Sequence, residues 1–186
     1  GDANGFYYDS CAENTLIDRA KKGNTSAFEE LMSIHLKVIY NYINSRIAEK
    51  EDVKDILQET MLAVWKGIKG FDNNSSFKTW CFGITKRKIA DYYREAYKNA
   101  TIPIKEVEDV LAVEDEKDSI DTKLIIEKAI ASLNQTEKDI VFFAFNAQLS
   151  YSEISEIISI PVGTIKSKMS SIKEKLKKQL ANGGGL

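Results

Sequence analysis

Apolar residues recur every three or four positions through most of this chain, and short polar or glycine-bearing stretches separate the runs in which they do so. From Ser26, the residues Phe28, Leu31, Met32, Val38, Ile39, Tyr42, Ile43 and Ile47 trace one stripe of an amphipathic helix. Such a stripe needs an apolar partner. Asp52 to Gly67 supplies one in Val53, Ile56, Leu57, Met61 and Val64. Gly67 and Gly70 end that second helix, and Phe71-Asp-Asn-Asn-Ser-Ser76 reads as a polar loop. Ser75 or Ser76 can cap a third helix that turns Phe77, Trp80, Cys81 and Ile84 inward, followed by Ile89, Tyr92 and Tyr93. Three complementary stripes predict one small helical domain over residues 15–99, with residues 1–14 as an extension before it.

Residues 100–121 break the pattern. They contain Pro103 and a mainly acidic run, too polar to bury much, and are expected to be a linker. Helical periodicity then returns over Leu124–Leu133, Glu137–Ala147, Ser150–Ile158 and Val162–Leu180, which predicts a second domain over residues 122–181 and a flexible tail over 182–186. Ser150-Tyr-Ser-Glu153 has the spacing of a capping box, which fixes a helix start. Pro161 cannot continue the helix before it but suits a first turn, so a tight turn into a new helix is expected. That unit is a helix-turn-helix. The fold class expected is therefore all-α, with two small helical domains joined by an acidic linker.

Composition agrees, since two prolines, few internal glycines and abundant Lys, Glu, Ile, Leu and Ala favour helix over sheet. A net charge of −2 over 186 residues is not that of a simple nucleic-acid binder. The average conceals segregation. Thr101 to Asp121 holds eight acidic residues and two lysines, whereas Gly163 to Leu180 holds six lysines and one glutamate. The basic end is thus a candidate DNA surface. Cys11 and Cys81 are too few and too distant for a disulfide framework or a zinc cluster, which fits a reducing, cytoplasmic setting with no metal or cofactor. No run approaches the length of a membrane span, and Gly-Asp-Ala-Asn-Gly lacks the basic and apolar pattern of a signal sequence, so neither insertion nor export is expected.

Three groups of residues could carry chemistry. Asp55, Gln58, Glu59 and Leu62 lie at i, i+3, i+4 and i+7, an outward stripe that is either a solvated charged face or a protein-docking surface. No histidine, arginine or metal-ligand cluster accompanies these carboxylates, so nothing points to acid/base catalysis. Around Ser75 to Lys98, aromatic residues stand beside Lys86, Arg87, Lys88, Arg94 and Lys98, a mixture suited to single-stranded nucleic acid. Most of those aromatics, Trp80 included, fall on the apolar stripe and are expected in the core. His35 and Cys81 are read the same way. In the last helix Val162, Ile165, Met169, Ile172 and Leu176 keep to one side, while Thr164, Ser167, Lys168, Ser171 and Lys175 present a short hydroxyl and ammonium face. That face can enter a major groove, or it can simply be solvated.

Taken together, Asp52-Val-Lys-Asp-Ile-Leu-Gln-Glu-Thr-Met-Leu-Ala-Val-Trp65, Phe71-Asp with Ser76-Phe-Lys-Thr-Trp80, and Leu149-Ser-Tyr-Ser-Glu-Ile-Ser-Glu-Ile-Ile-Ser-Ile-Pro-Val-Gly-Thr-Ile-Lys-Ser-Lys168 resemble the sigma-70 family, in its extracytoplasmic-function (ECF) group. The resemblance covers about Thr15 to Leu180 and implies a sigma factor that binds core RNA polymerase and directs it to promoters. It implies that Asp52, Asp55, Gln58, Glu59 and Leu62 meet the polymerase. Asp72, Asn73, Asn74, Ser75 and Ser76 with Lys86, Arg87 and Arg94 would hold the melted minus-ten strand. Thr164, Lys166, Ser167, Lys168, Ser171 and Lys175 would read the minus-thirty-five duplex. An anti-sigma protein is the further partner it implies. Two departures stand out: Asn134 replaces a customary proline, and Ser170-Ser171 a commoner basic pair. The alternative reading is a helix-turn-helix regulator with an all-α input domain. Neither reading includes a catalytic residue.

Overall fold

The computed structural model describes residues 10–99 and 122–183, which divide at Tyr92 into two compact units. The expected linker at 100–121 and the residues at 1–9 and 184–186 lie outside the described residues. All regular structure described is helical.

The first unit contains α1 (Ser10–Lys21), α2 (Thr25–Arg46), α3 (Lys50–Gly67) and most of α4 (Phe77–Asn99), with a 3-10 turn at Ile68–Gly70. The α1 helix is an addition to the expected three. Residues 10–14 open it instead of belonging to an extension, and it stops at Gly23, whose φ of +92° suits a glycine after a helix end. Its apolar stripe is short, only Ile17 and Ala20 being fully buried, which is why periodicity gave little sign of it. A polar link completes the docking, with His35 Nε2 on α2 and Glu13 Oε1 on α1 2.5 Å apart. His35 is thus a partnered core histidine, as expected. Asn24 caps α2 by accepting from the Ala27 amide at 3.0 Å, two residues before the serine from which the stripe was read.

Leu31, Ile39, Tyr42, Ile43, Val53, Val64, Cys81 and Phe82 are fully buried between α2, α3 and α4. Each such side chain contributes roughly 1.5–3 kcal/mol relative to exposure. The rings of Tyr42 and Phe82 meet edge-to-face at 5.7 Å. Thr60 and Thr85 are buried with them, and each donates its hydroxyl to a carbonyl one turn back, Ile56 at 2.7 Å and Cys81 at 2.8 Å. Burial pushes the Cys81 thiol well above its ordinary value, with the Glu13 charge adding to the effect. An inert core cysteine results.

In the second unit α5 (Thr122–Ala131), α6 (Gln135–Val141), α7 (Tyr151–Ile158) and α8 (Val162–Gly183) enclose Ala129, Leu133, Ile140, Phe143, Ile154, Ile165, Met169 and Ile172. The helix expected over Glu137–Ala147 is regular only to Val141. It widens into a π turn at Phe142–Asn146, closed by the Ala147 amide on the Phe142 carbonyl at 3.0 Å, and Phe143 enters the core from it. Two capping boxes start α6 and α7, Asn134 with Glu137 and Ser150 with Glu153. Asn134 therefore does for this chain, by side-chain capping, what proline's fixed φ favours at a helix start. The turn after α7 is left-handed at Ser159 (φ 57°), and Ser155 donates to the Ile160 carbonyl at 2.6 Å. Pro161 offers its carbonyl to the Ile165 amide, opening α8 where the sequence predicted. The far end differs, since α8 runs through Asn182 to Gly183, into the segment expected to be tail.

Candidate protein- and nucleic-acid-binding faces

The inner side of α3 is closed by Val53, Ile56, Thr60 and Val64, which turns Asp55, Gln58, Glu59 and Leu62 outward. All four are exposed, Leu62 to 56%. Asp52 differs from the rest of its group. It is half-buried and accepts the Tyr92 hydroxyl at 2.6 Å, so it ties α3 to α4. Beside the stripe lies an open, mainly apolar cleft between the start of α2 and the second half of α3. Phe28, Met61, Leu62 and Trp65 line it, with Gln58 at its edge. Phe28 and Met61, expected in the core, are only half-buried here, and Phe28 packs on Trp65 with ring centroids 4.8 Å apart. The cleft escaped sequence reasoning because helical periodicity does not say where two stripes diverge.

The Asp72–Ser76 loop leaves from a fixed point. Phe71 and Phe77 are buried at its two ends, 5.7 Å apart, with Trp80 stacked near both, and Lys21 Nζ donates to the Phe71 carbonyl at 2.5 Å. Trp80 also lies against Gly67, where a Cβ would come within 3.3 Å of its ring. Its packing role is as expected. Within the loop, the Asp72 carboxylate accepts from the Asn74 backbone amide at 3.1 Å and side-chain amide at 2.7 Å. Ser76 accepts from the Thr79 amide at 3.1 Å and caps α4. Ser76 is thus one of the two serines expected to cap this helix, while the bonds between Asp72 and Asn74 give those two residues a structural part that was not expected. Asn73 remains at the exposed tip, at a φ of 61° that asparagine tolerates well. Along α4, Arg87 and Arg94 are exposed and Lys86 is half-buried. Arg87 Nε bonds the Gly83 carbonyl at 3.3 Å. Arg94 stands about 27 Å along the helix from Ser76, too far to share a nucleotide with the loop.

On α8, Thr164, Lys166, Ser167 and Ser171 are exposed and Lys168 is half-buried, while Ile165, Met169 and Ile172 face the core. Ser167 donates its hydroxyl to the Gly163 carbonyl at 3.1 Å, which leaves its lone pairs for an incoming donor. Lys175, half-exposed, has a partner within the protein that the sequence did not suggest. Its Nζ donates to Glu137 Oε2 at 2.8 Å. Burial works against the Glu137 charge, but the hydrogen bonds from Lys175 and the Asn134 amide, with the charges of Lys175 and Lys168, outweigh it and hold the carboxyl below its ordinary value. Among the described residues no cluster of three metal-ligating side chains occurs, and no helix is long and apolar enough to cross a membrane.

Residues 31–98 match the family model of sigma-70 region 2, and residues 123–176 match that of sigma-70 region 4. The chain belongs to the sigma-70 family. Within it the similarity is to ECF factors. The Bacillus subtilis ECF RNA polymerase sigma factor SigW is 30% identical over 176 residues, 88% of this chain and 94% of that protein. The ECF sigma-E factor of Haemophilus influenzae is 24% identical over 180 residues, 90% and 95% of the two chains. Among solved structures, CnrH in complex with the cytosolic domain of CnrY gives a TM-score of 0.67 at 22% identity, covering 92% of this chain and 98% of that one. RpoE of Bartonella quintana, in complex with the anti-sigma factor NepR, gives 0.61 at 22% identity, covering 83% and 96%. These last two are likenesses of fold. With both halves matched in order, this ECF sigma factor is a promoter-specific transcription initiation factor acting with RNA polymerase, and the regulator reading is set aside.

Proposed function

We propose that this sigma factor divides its work among the three faces. The α3 stripe of Asp55, Gln58, Glu59 and Leu62 docks on core polymerase, with the adjoining cleft receiving an apolar side chain. Asp52 supports that face from behind through Tyr92. The observation that carries this reading is the exposure of a polar stripe ending in Leu62 on a helix whose opposite side is sealed in the core. Leu62 is not alone, since it adjoins Phe28, Met61 and Trp65 of the cleft in one apolar patch. Replacing Asp55, Gln58 and Glu59 together with alanine should abolish holoenzyme formation, measured by titration of core polymerase, while the melting temperature stays near that of the parent. Normal affinity in the folded triple variant would refute the docking role.

The Asp72–Ser76 loop captures an unstacked base of the minus-ten strand, with Asn73 presenting the recognising edge, and Lys86, Arg87 and Arg94 hold successive phosphates of that strand along α4. Thr164, Lys166, Ser167, Lys168 and Ser171 read the minus-thirty-five duplex from the first turns of α8. The factor itself has no catalytic activity, works in the cytoplasm, and is held inactive by an anti-sigma protein, as the structural relative RpoE of Bartonella quintana is bound by NepR.

A further inference from the structure

Glu137 is a buried ionised group with no part in the roles above, and its two oxygens face in different directions. Oε1 accepts from the Asn134 backbone amide at 3.1 Å and completes the capping box of α6. Oε2 accepts from Lys175 Nζ at 2.8 Å, linking the start of α6 to the fourth turn of α8. The Glu137 side chain is only 6% exposed, whereas that of Lys175 is 50% exposed. The carboxylate is therefore the rigid member and the lysine the one held. Lys168, seven residues before Lys175 and on the same side of α8, adds its charge at the same carboxylate.

We propose that Glu137 is a specificity-positioning residue: through Lys175 it fixes the roll of α8 against α6 and keeps that ammonium off DNA phosphate, so that Thr164, Ser167 and Ser171 meet the base edges in one register. A lysine on a phosphate raises affinity for every sequence alike, by counterion release. Drawing Lys175 to DNA would strip a buried carboxylate of its partner, which is strongly unfavourable. The pair thus removes an indiscriminate contact and adds an orientational one. The proposal rests on α8 being the recognition helix.

The experiment uses holoenzyme formed from the full chain and core polymerase. Promoter affinity is measured against salt concentration, and base preference on a library randomised at the minus-thirty-five element. Lys175→Met should leave the salt slope unchanged while discrimination at a minus-thirty-five base falls about 10-fold, the scale of one base contact. Glu137→Gln should lower discrimination similarly but steepen the slope by about 0.9, because the released lysine finds a phosphate. Lys175→Arg should retain both properties. The double variant Glu137→Gln with Lys175→Met should return to the parental slope and discriminate no worse than either single variant. A slope shallower by about 0.9 in Lys175→Met would show that Lys175 already holds a phosphate and would overturn the proposal, as would unchanged discrimination in both single variants. Thermal melting shows whether each variant folds, and if Glu137→Gln does not, the contrast of Lys175→Met with Lys175→Arg still decides. Thr164→Ala and Ser171→Ala serve as the separate control. If they leave base preference untouched, the assignment of α8 has failed, whereas the slopes still report where Lys175 sits.

Discussion

The outward stripe of α3 and the surface of the loop and α8 proposed to read promoter DNA are built on different terms. Asp55, Gln58, Glu59 and Leu62 project from a helix already sealed on its inner side, and none of them is a cap or a core residue. In the loop, by contrast, Ser76 caps α4 and Asp72 fastens Asn74, and on α8 Lys175 is held by Glu137. The residues proposed for docking can therefore be removed without touching the fold, while Asp72 and Ser76 in the loop proposed to meet promoter DNA cannot. A surface that must meet one large, constant partner can be simply displayed. One proposed to distinguish bases stands on a frame tied by hydrogen bonds, in the loop between Asp72 and Asn74 and at Ser76, and beside α8 between Lys175 and Glu137.

The largest effect that would sharpen this contrast is expected at Leu62. Leu62→Asp places a charge beside the apolar cleft and should weaken core polymerase binding by on the order of 100-fold, the scale of an interface hot spot, with an unchanged melting temperature. Calorimetric melting beside a polymerase titration checks both halves, and coupled losses would break the comparison. Next comes the loop. Ser76→Ala should cost about 1 kcal/mol of stability through its lost cap, read by denaturant unfolding, whereas Asn73→Ala should cost little stability and instead shift the minus-ten preference by about 1–3 kcal/mol.

Ser76 and Asn73 lead to the question of what could be read in the sequence. The stripes of α2, α3 and α4, the Ser150–Glu153 box and the turn at Pro161 follow from local rules, spacing and proline chemistry, and all were legible. So were the exposed stripe of α3 and the hydroxyl face of α8. Unreadable were features made by residues distant in sequence: Glu13 on His35, Lys175 on Glu137, Tyr92 on Asp52, and the cleft formed where Phe28 and Trp65 meet. The Asn134–Glu137 box was available from the same spacing rule that found Ser150–Glu153. The π turn at Phe142 carries no such signal, because widening one turn depends on the pocket that Phe143 fills.

Acid sharpens the comparison further. Because the Glu137 carboxyl is held below its ordinary value of 4.5 in the folded state, its contribution to stability is present above that pH and is lost as the pH falls through the lower, folded value. The second unit should lose stability over that window, and Glu137→Gln should be less stable near neutral pH but flatter below 4.5. Unfolding by denaturant at a series of pH values checks the sign. The smallest effect is expected at Ser159, a non-glycine residue at φ 57° after α7. Ser159→Gly should raise stability by up to about 1 kcal/mol without altering promoter choice, which thermal melting and transcription together would show.

The division of labour itself is tested most directly by transcription in vitro from one promoter library randomised at both elements, comparing the parent holoenzyme with Asn73→Ala and with Thr164→Ala plus Ser171→Ala. The predicted result is separable: Asn73→Ala changes preference only at the minus-ten element, and the paired α8 variant only at the minus-thirty-five element. Preferences that shift together at both elements, or at neither, would contradict the assignment of promoter reading to these two surfaces.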